Sequence, residues 1–200
     1  SAGIKQTKEL VIGMEGIAKG IFQDSYVELI FNDKYSKNFF GWVVPENRKK
    51  ARIGLMDHHL KLETFFKFFH NLTGKKPKNF YSDSIRVGSI KSYVADRCLV
   101  VGEAASQTKP FSLGGIIYGI IGAKIASKAI ELAFKENDFS KEFLLKTYDR
   151  RWKKVLNLPF LKGKISRKFF RLAKKHKPIV EIIKLFGINR LASLLDPDLL

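Results

Sequence analysis

The sequence of 200 residues holds a single cysteine, Cys98. One thiol excludes an internal disulfide framework and fits a reducing compartment. Histidine is also scarce, with four in all. The adjacent pair His58 and His59 has no Cys or third His at metal-ligand spacing, so no metal site is expected. Acidic residues are few. Nineteen Asp and Glu stand against 37 Lys and Arg, giving a formal charge of +18. Such a field attracts nucleic acid, anionic lipid or acidic ligands. Long apolar runs are missing. The longest uncharged stretch, Pro110 to Ala123, falls short of the roughly 20 residues that span a bilayer, so no transmembrane helix is expected. No signal peptide is visible at the start of the sequence. These features together predict a cytoplasmic protein, with peripheral contact to a membrane as the further option. Finally, no G-x-G occurs anywhere, so the phosphate loop of a dinucleotide-binding βαβ unit is not found.

What is present is a core. Hydrophobic residues make up 45% and include 17 Phe, ample for a globular fold. The organising stretch is Cys98 to Ala133. Cys98–Val101 reads as a short buried strand, with Cys98 as a small buried hydrophobe rather than a nucleophile. Gly102, Glu103, two alanines and a polar turn to Pro110 follow. Gly114 and Gly115 then open a long apolar helix. The carboxylate can accept hydrogen bonds from hydroxyls. The glycines let backbone N–H groups come close, and the helix N-terminus favours electron-rich atoms. This is a plausible site for a ligand with hydroxyls and a polar ring. Within the helix, Gly115, Gly119, Ala123 and Ser127 form one row of small residues, and Gly122, Ala126 and Ala129 form another. Such rows admit a backbone or a flat ring, and plain helix packing produces them too.

On the N-terminal side, strands are expected at Leu10–Met14, Tyr26–Phe31, Phe39–Val44 (ended by Pro45) and Ala51–Leu55. They read as an antiparallel meander with aromatic residues along one side. Apolar residues at helical spacing over Leu60–Leu72 predict an amphipathic helix stopped by Gly74. On the C-terminal side the charge rises: residues 141–200 hold 16 Lys and Arg and 5 Asp and Glu. A helix over Lys141–Leu156 would bury Phe143, Leu144, Tyr148, Trp152 and Val155 on one face. Pro159 should break it. Leu161–Lys177 then reads as a basic amphipathic helix, of the type that lies on anionic membrane surfaces or forms a solvated face. A last helix is expected over Ile179–Leu195. The fold class is α+β, in three regions: 1–95 (sheet with one helix), 96–135 (strand, turn and long helix) and 136–200 (basic helices).

Gly102, Glu103, Ala104, Ala105, Pro110, Gly114, Gly115 and Ile116 resemble the second flavin motif of the para-hydroxybenzoate-hydroxylase-like flavoproteins, most of all the geranylgeranyl reductases. Glu103 stands where that family has aspartate, and its third glycine is Leu113 or absent. Phe40, Trp42, Val44 and Pro45, followed by Ile53-Gly54, are similar to the family's aromatic substrate-wall element. Tyr148 and Trp152 resemble its Tyr-x-x-x-Trp element. The resemblance implies FAD as cofactor, held through Gly102, Glu103, Pro110, Gly114, Gly115 and Ile116. It implies that Phe40, Trp42 and Pro45 line a channel for a prenyl lipid whose isoprenoid double bonds are reduced. It marks out no catalytic acid. It also implies an N-terminal Rossmann-type half, on a separate chain or a removed segment, for the adenine and pyrophosphate end of FAD. The alternative is a non-enzymatic basic module that binds RNA or anionic membrane. Against RNA, the charge is not interleaved with a recognisable nucleic-acid motif.

Overall fold

The computed structural model describes residues 3–175. It divides into a sheet unit, Glu9–Ile85, and a helical unit formed by the segment before it and the segment from Arg86 on. The α+β class stands.

The sheet unit is built on β1 (Glu9–Lys19), β2 (Glu28–Ile30), β3 (Gly41–Asn47), β4 (Lys50–Asp57), α1 (Leu62–Thr73) and β5 (Phe80–Val87, whose end passes into the helical unit). The sheet order is β2-β3-β4-β1-β5. The meander of β2, β3 and β4 is therefore joined by β1, which pairs antiparallel with β4 from Ile12↔Asp57 to Lys19↔Lys50. Several strands differ from expectation. β1 runs over 11 residues where Leu10–Met14 alone is expected, and β5 is not among the expected strands. The Tyr26–Phe31 run supplies only the three residues of β2. Pro45 does not end β3. It pairs with Ala51, and a register shift follows before Asn47. β2 reaches only as far as Val43, so the missing N–H of Pro45 leaves no ladder bond unmade on that side.

Alternation explains why α1 sits where it does. Val43, Ala51, Ile53 and Leu55 are buried on one face, and α1 covers that face with Phe65, Phe68 and Phe69. Burying each Phe contributes about 1.5–3 kcal/mol. The fit requires glycine at Gly41, where a Cβ would collide with the Phe68 ring. Gly74 closes α1 in the left-handed region at φ 68°, its N–H donating to the His70 carbonyl, as a glycine cap does.

The helical unit contains β6 (Val94–Ala95), β7 (Cys98–Leu99), α2 (Ile116–Glu136), α3 (Lys141–Leu144) and α4 (Arg150–Lys175). Cys98–Val101 is not the fully buried strand that its composition suggests. Only Cys98 and Leu99 are paired, in a tight hairpin with β6, and all four residues are half-buried. One side of the run packs on the core through Leu99, Val100 and Val101.

α3, a π-helical turn over Leu145–Asp149 and α4 follow one another without a break. The wide turn resets the helical phase. The buried row becomes Leu144, Tyr148, Trp152, Leu156 and Phe160, four residues apart throughout, while Val155 is 50% exposed rather than buried. Pro159 lies inside α4 and does not divide it. A mid-helix proline costs about 3 kcal/mol, and here the burial of Trp152, Leu156 and Phe160 on the same face offsets that cost. The helix expected over Ile179–Leu195 lies outside the described residues. Among the described residues, no helix is long and apolar enough to cross a membrane.

Candidate functional site

The helical unit brings Gly102, Glu103, Pro110, Gly114, Gly115 and Ile116 onto one loop and the helix that it feeds. Val101 enters in extended conformation, and Gly102 turns the chain at φ 69°. A 3-10 turn over Gly102–Ala105 follows. It is closed by Ser106 N–H to the Glu103 carbonyl (2.8 Å) and Gln107 N–H to the Gly102 carbonyl (2.9 Å). Glu103 projects from this turn and is exposed. The next stretch is tied in a small ring: Lys109 N–H donates to the Gly114 carbonyl (3.0 Å) and Leu113 N–H to the Lys109 carbonyl (2.9 Å). Pro110 is buried and fits against Gly163 of α4, where a Cβ would lie 3.0 Å from the proline Cδ.

Leu113 has φ 61° and is buried. This is a left-handed position that glycine would take without strain. A Leu occupies it here.

α2 begins after Gly115 with no side-chain cap and no acid in its first turn. The first N–H groups of a helix have no intrahelical partner and carry the positive end of its dipole. Ile116, Ile117 and Ile120 are exposed, Ile116 at 79%. The arrangement thus offers N–H donors beside an apolar patch, with a carboxylate on the neighbouring turn. That turn lies against α2 at Gly119, where an added Cβ would stand at an ordinary contact distance of 4.0 Å from the Gly102 Cα.

What holds the turn is a buried polar relay that sequence reasoning missed. Gln107 is fully buried. Its Oε1 accepts from the Gly102 N–H (2.8 Å), and its Nε2 donates to the Tyr148 hydroxyl (2.9 Å). That hydroxyl in turn donates to the Val100 carbonyl (2.7 Å). Burial pushes the Tyr148 phenol up to about 12, against the opposing effect of its bond from Gln107, so it stays a neutral donor at ordinary pH. Gly122 makes room for the relay, since a Cβ there would sit 2.5 Å from Gln107 Oε1 and 3.2 Å from Val101. The buried small row of α2 thus receives an amide side chain. The one signal in the sequence was a glutamine among small residues ahead of Pro110.

The same π turn aims Asp149 inward. Its carboxylate accepts from the Tyr93 N–H (2.8 Å) and from Lys153 Nζ (2.7 Å), and that Lys also reaches the Lys91 carbonyl (2.7 Å).

Phe40, Trp42 and Pro45 lie in the sheet unit. Phe40 and Trp42 are on the face turned away from α1, half-buried, with ring centroids 6.4 Å apart; Phe31 joins them at 5.6 Å from Phe40. Trp42 lies across Gly54 so closely that no Cβ fits there, and its Nε1 donates to Glu15 Oε2 (2.9 Å). Glu15 is also bonded by Arg52 (3.2 Å). Leu29, opposite Trp42, is 53% exposed. By strand alternation Pro45 belongs to the other face, so the structure does not group it with Phe40 and Trp42.

No family model matches the sequence. An uncharacterized protein of Methanocaldococcus jannaschii is 30% identical over 154 residues, which are 74% of this chain and 39% of that protein. The digeranylgeranylglycerophospholipid reductase of the same organism is 32% identical over 146 residues, covering 66% of this chain and 36% of the enzyme. Among solved structures, a geranylgeranyl bacteriochlorophyll reductase-like protein from Thermoplasma acidophilum superposes with TM-score 0.71 at 15% identity, over 88% of this chain and 54% of that one. The chain spans less than half the length of these curated relatives. Across the part that is matched, the chain is similar to a digeranylgeranylglycerophospholipid reductase and shares the fold of a geranylgeranyl bacteriochlorophyll reductase-like protein.

Proposed function

We propose that this chain is the C-terminal part of an FAD-dependent oxidoreductase that reduces isoprenoid double bonds of prenyl lipids. The observation that carries the reading is the loop from Gly102 to Ile116. There an exposed carboxylate, an uncapped helix N-terminus and an apolar patch stand together, and a buried relay fixes the turn. The donor set fits a flavin. Glu103, which is acceptor-only when ionised, takes hydrogen bonds from the ribityl hydroxyls. The backbone N–H groups at Gly115 and Ile116, and that of Gly114 once it leaves Ser112 Oγ (3.4 Å), would face the electron-rich edge of the isoalloxazine ring. Ile116, Ile117 and Ile120 present an apolar surface that excludes water beside it. Reduced FAD, when bound, supplies a hydride to one alkene carbon; the other carbon takes a proton from solvent or an acid, and an external two-electron donor reloads the cofactor. Phe40 and Trp42 offer the prenyl chain an aromatic surface. The adenine and pyrophosphate end of FAD is held by a Rossmann-type half that these 200 residues do not supply.

Titration of FAD with the chain, followed by flavin fluorescence, tests this. Loss of a charge-assisted hydrogen bond is worth about 1.5–3 kcal/mol, so Glu103→Ala should weaken binding about tenfold or more. The titration is repeated with the N-terminal half of a relative added. Saturable binding in either format, weakened by Glu103→Ala, supports the reading. Absence of binding in both overturns it.

A further inference from the structure

α4 has two apolar faces. The inner one carries Trp152, Leu156 and Phe160 and is buried in the helical unit. The outer one carries Val155, Leu158, Leu161, Ile165, Phe169 and Leu172, with exposures of 50, 62, 54, 58, 41 and 49%. At 3.6 residues per turn these six fall in a single stripe opposite the buried face, about 25 Å long. An amphipathic surface helix has one apolar stripe, turned to its core. A second one, continuous and exposed, marks a surface that binds something.

Charge identifies what it binds. Arg150–Lys175 contains 11 Lys and Arg and no Asp or Glu. Lys154, Lys162 and Lys168 are exposed beside or within the stripe. Next to it, α2 and α4 enclose a groove of about 400 Å³ whose lining includes Lys124, Lys128, Arg151, Lys154 and Val155 and no carboxylate. None of these four cations has a carboxylate partner among the described residues. An apolar centre with a wholly cationic border matches an anionic interface that is greasy beneath. Lysine stems can lie along the apolar layer while their heads stay at its polar boundary.

We propose that the outer face of α4, with the basic groove beside it, docks the protein on the surface of an anionic phospholipid bilayer. α4 lies in the plane of the interface, with the stripe sunk to about 5–10 Å, and the groove takes headgroup phosphates. RNA would engage the cations and leave five aliphatic side chains unused. A second copy would bring the same cations face to face.

The test is co-sedimentation of the 200-residue chain with vesicles of phosphatidylglycerol or of phosphatidylcholine. The chain is expected to pellet with the anionic vesicles only, less so as salt rises. The variant Leu158→Glu with Ile165→Glu, checked for folding by circular dichroism, should lose about tenfold or more of its vesicle affinity. Lys124→Glu with Lys128→Glu should do likewise. No pelleting with phosphatidylglycerol overturns the proposal. So does equal pelleting of the Leu158/Ile165 variant, which would reduce the contact to unspecific polyanion attraction. A dimer abolished by that variant, without vesicle binding, assigns the stripe to a second copy. No flavin enters the assay, so its failure leaves the reductase reading untouched.

Discussion

The two units of this chain solve the same problem with different aromatic residues. The sheet unit packs Phe65, Phe68 and Phe69 onto Val43, Ala51, Ile53 and Leu55, a core with no polar tips to satisfy. Its specificity is steric, carried by Gly41 under the Phe68 ring. The helical unit packs Tyr93, Tyr118, Tyr148 and Trp152, each with a polar atom that burial makes costly unless it is bonded. Some of those atoms do positional work. Tyr148 and Gln107 reach the Gly102 N–H and the Val100 carbonyl, so the core of this unit fixes the backbone of the candidate flavin loop. A shape-only core can yield to substitutions of equal volume. A wired core ties its own stability to the geometry of the site.

The largest effect should come from the steric core. Phe68→Ala is expected to cost about 3–5 kcal/mol in urea unfolding. Gly41→Ala alone should cost about 1–3 kcal/mol, because its Cβ meets a ring with nowhere to go. In the Phe68→Ala background the same Gly41→Ala change should cost little, since the cavity accepts the methyl. A double-mutant cycle reads that coupling directly. Strict additivity would mean that Gly41 is there for some reason other than the ring. Gly13→Ala, with no atom within 4 Å of the added Cβ, is the near-silent control.

The wired core is next. Gln107→Leu keeps most of the volume but strips the Gly102 N–H of its acceptor and the Tyr148 hydroxyl of its donor. A loss of about 1–3 kcal/mol is expected. On the proposed reading, FAD affinity should fall with it, although Gln107 is too buried to touch a ligand. If stability falls and flavin binding does not, the relay supports the fold alone.

Much of this contrast could be read from the sequence, and the part that could not has a physical reason. The α1 face, its Gly74 cap and the Gly102–Ile116 loop follow from local signals: helical spacing, a left-handed glycine, and a carboxylate between glycines. Pro45 and Pro159 misled because proline's penalty depends on its neighbours. One falls where β2 has already ended, and the other sits on a helix face with enough burial to tolerate it. The π turn at Leu145–Asp149 left no mark in the residue types, yet it moves Leu156 inward and Val155 outward. The Gln107 relay depends on residues 41 positions apart, a distance at which no spacing rule operates. The openness of Cys98–Val101 likewise reflects what packs on it, not its own composition.

The smallest effect gives the sharpest comparison, because it sets two tyrosines of one core against each other. Burial pushes both Tyr118 and Tyr148 up to about 12. The unfolded chain ionises tyrosine near pH 10. The folded form therefore holds these protons longer, so this contribution to stability is whole below about pH 10 and is lost as pH rises toward 12. Exposed tyrosines such as Tyr26 and Tyr81 should ionise first, and the share of tyrosinate absorbance from Tyr118 and Tyr148 should lag until the helical unit opens, then rise cooperatively. The hydroxyls differ in their partners: that of Tyr148 is bonded at both ends, whereas that of Tyr118 is buried with no hydrogen-bond partner among the described residues. Tyr148→Phe should therefore cost about 0.5–1.5 kcal/mol at neutral pH, while Tyr118→Phe should be neutral or stabilise by up to about 1 kcal/mol, since it removes a buried group that gains nothing. Both substitutions should soften the alkaline transition by removing one retained proton. If Tyr118→Phe destabilised as much as Tyr148→Phe, the Tyr118 hydroxyl would have to be bonded in solution, and the wiring of the helical unit would extend beyond its loop.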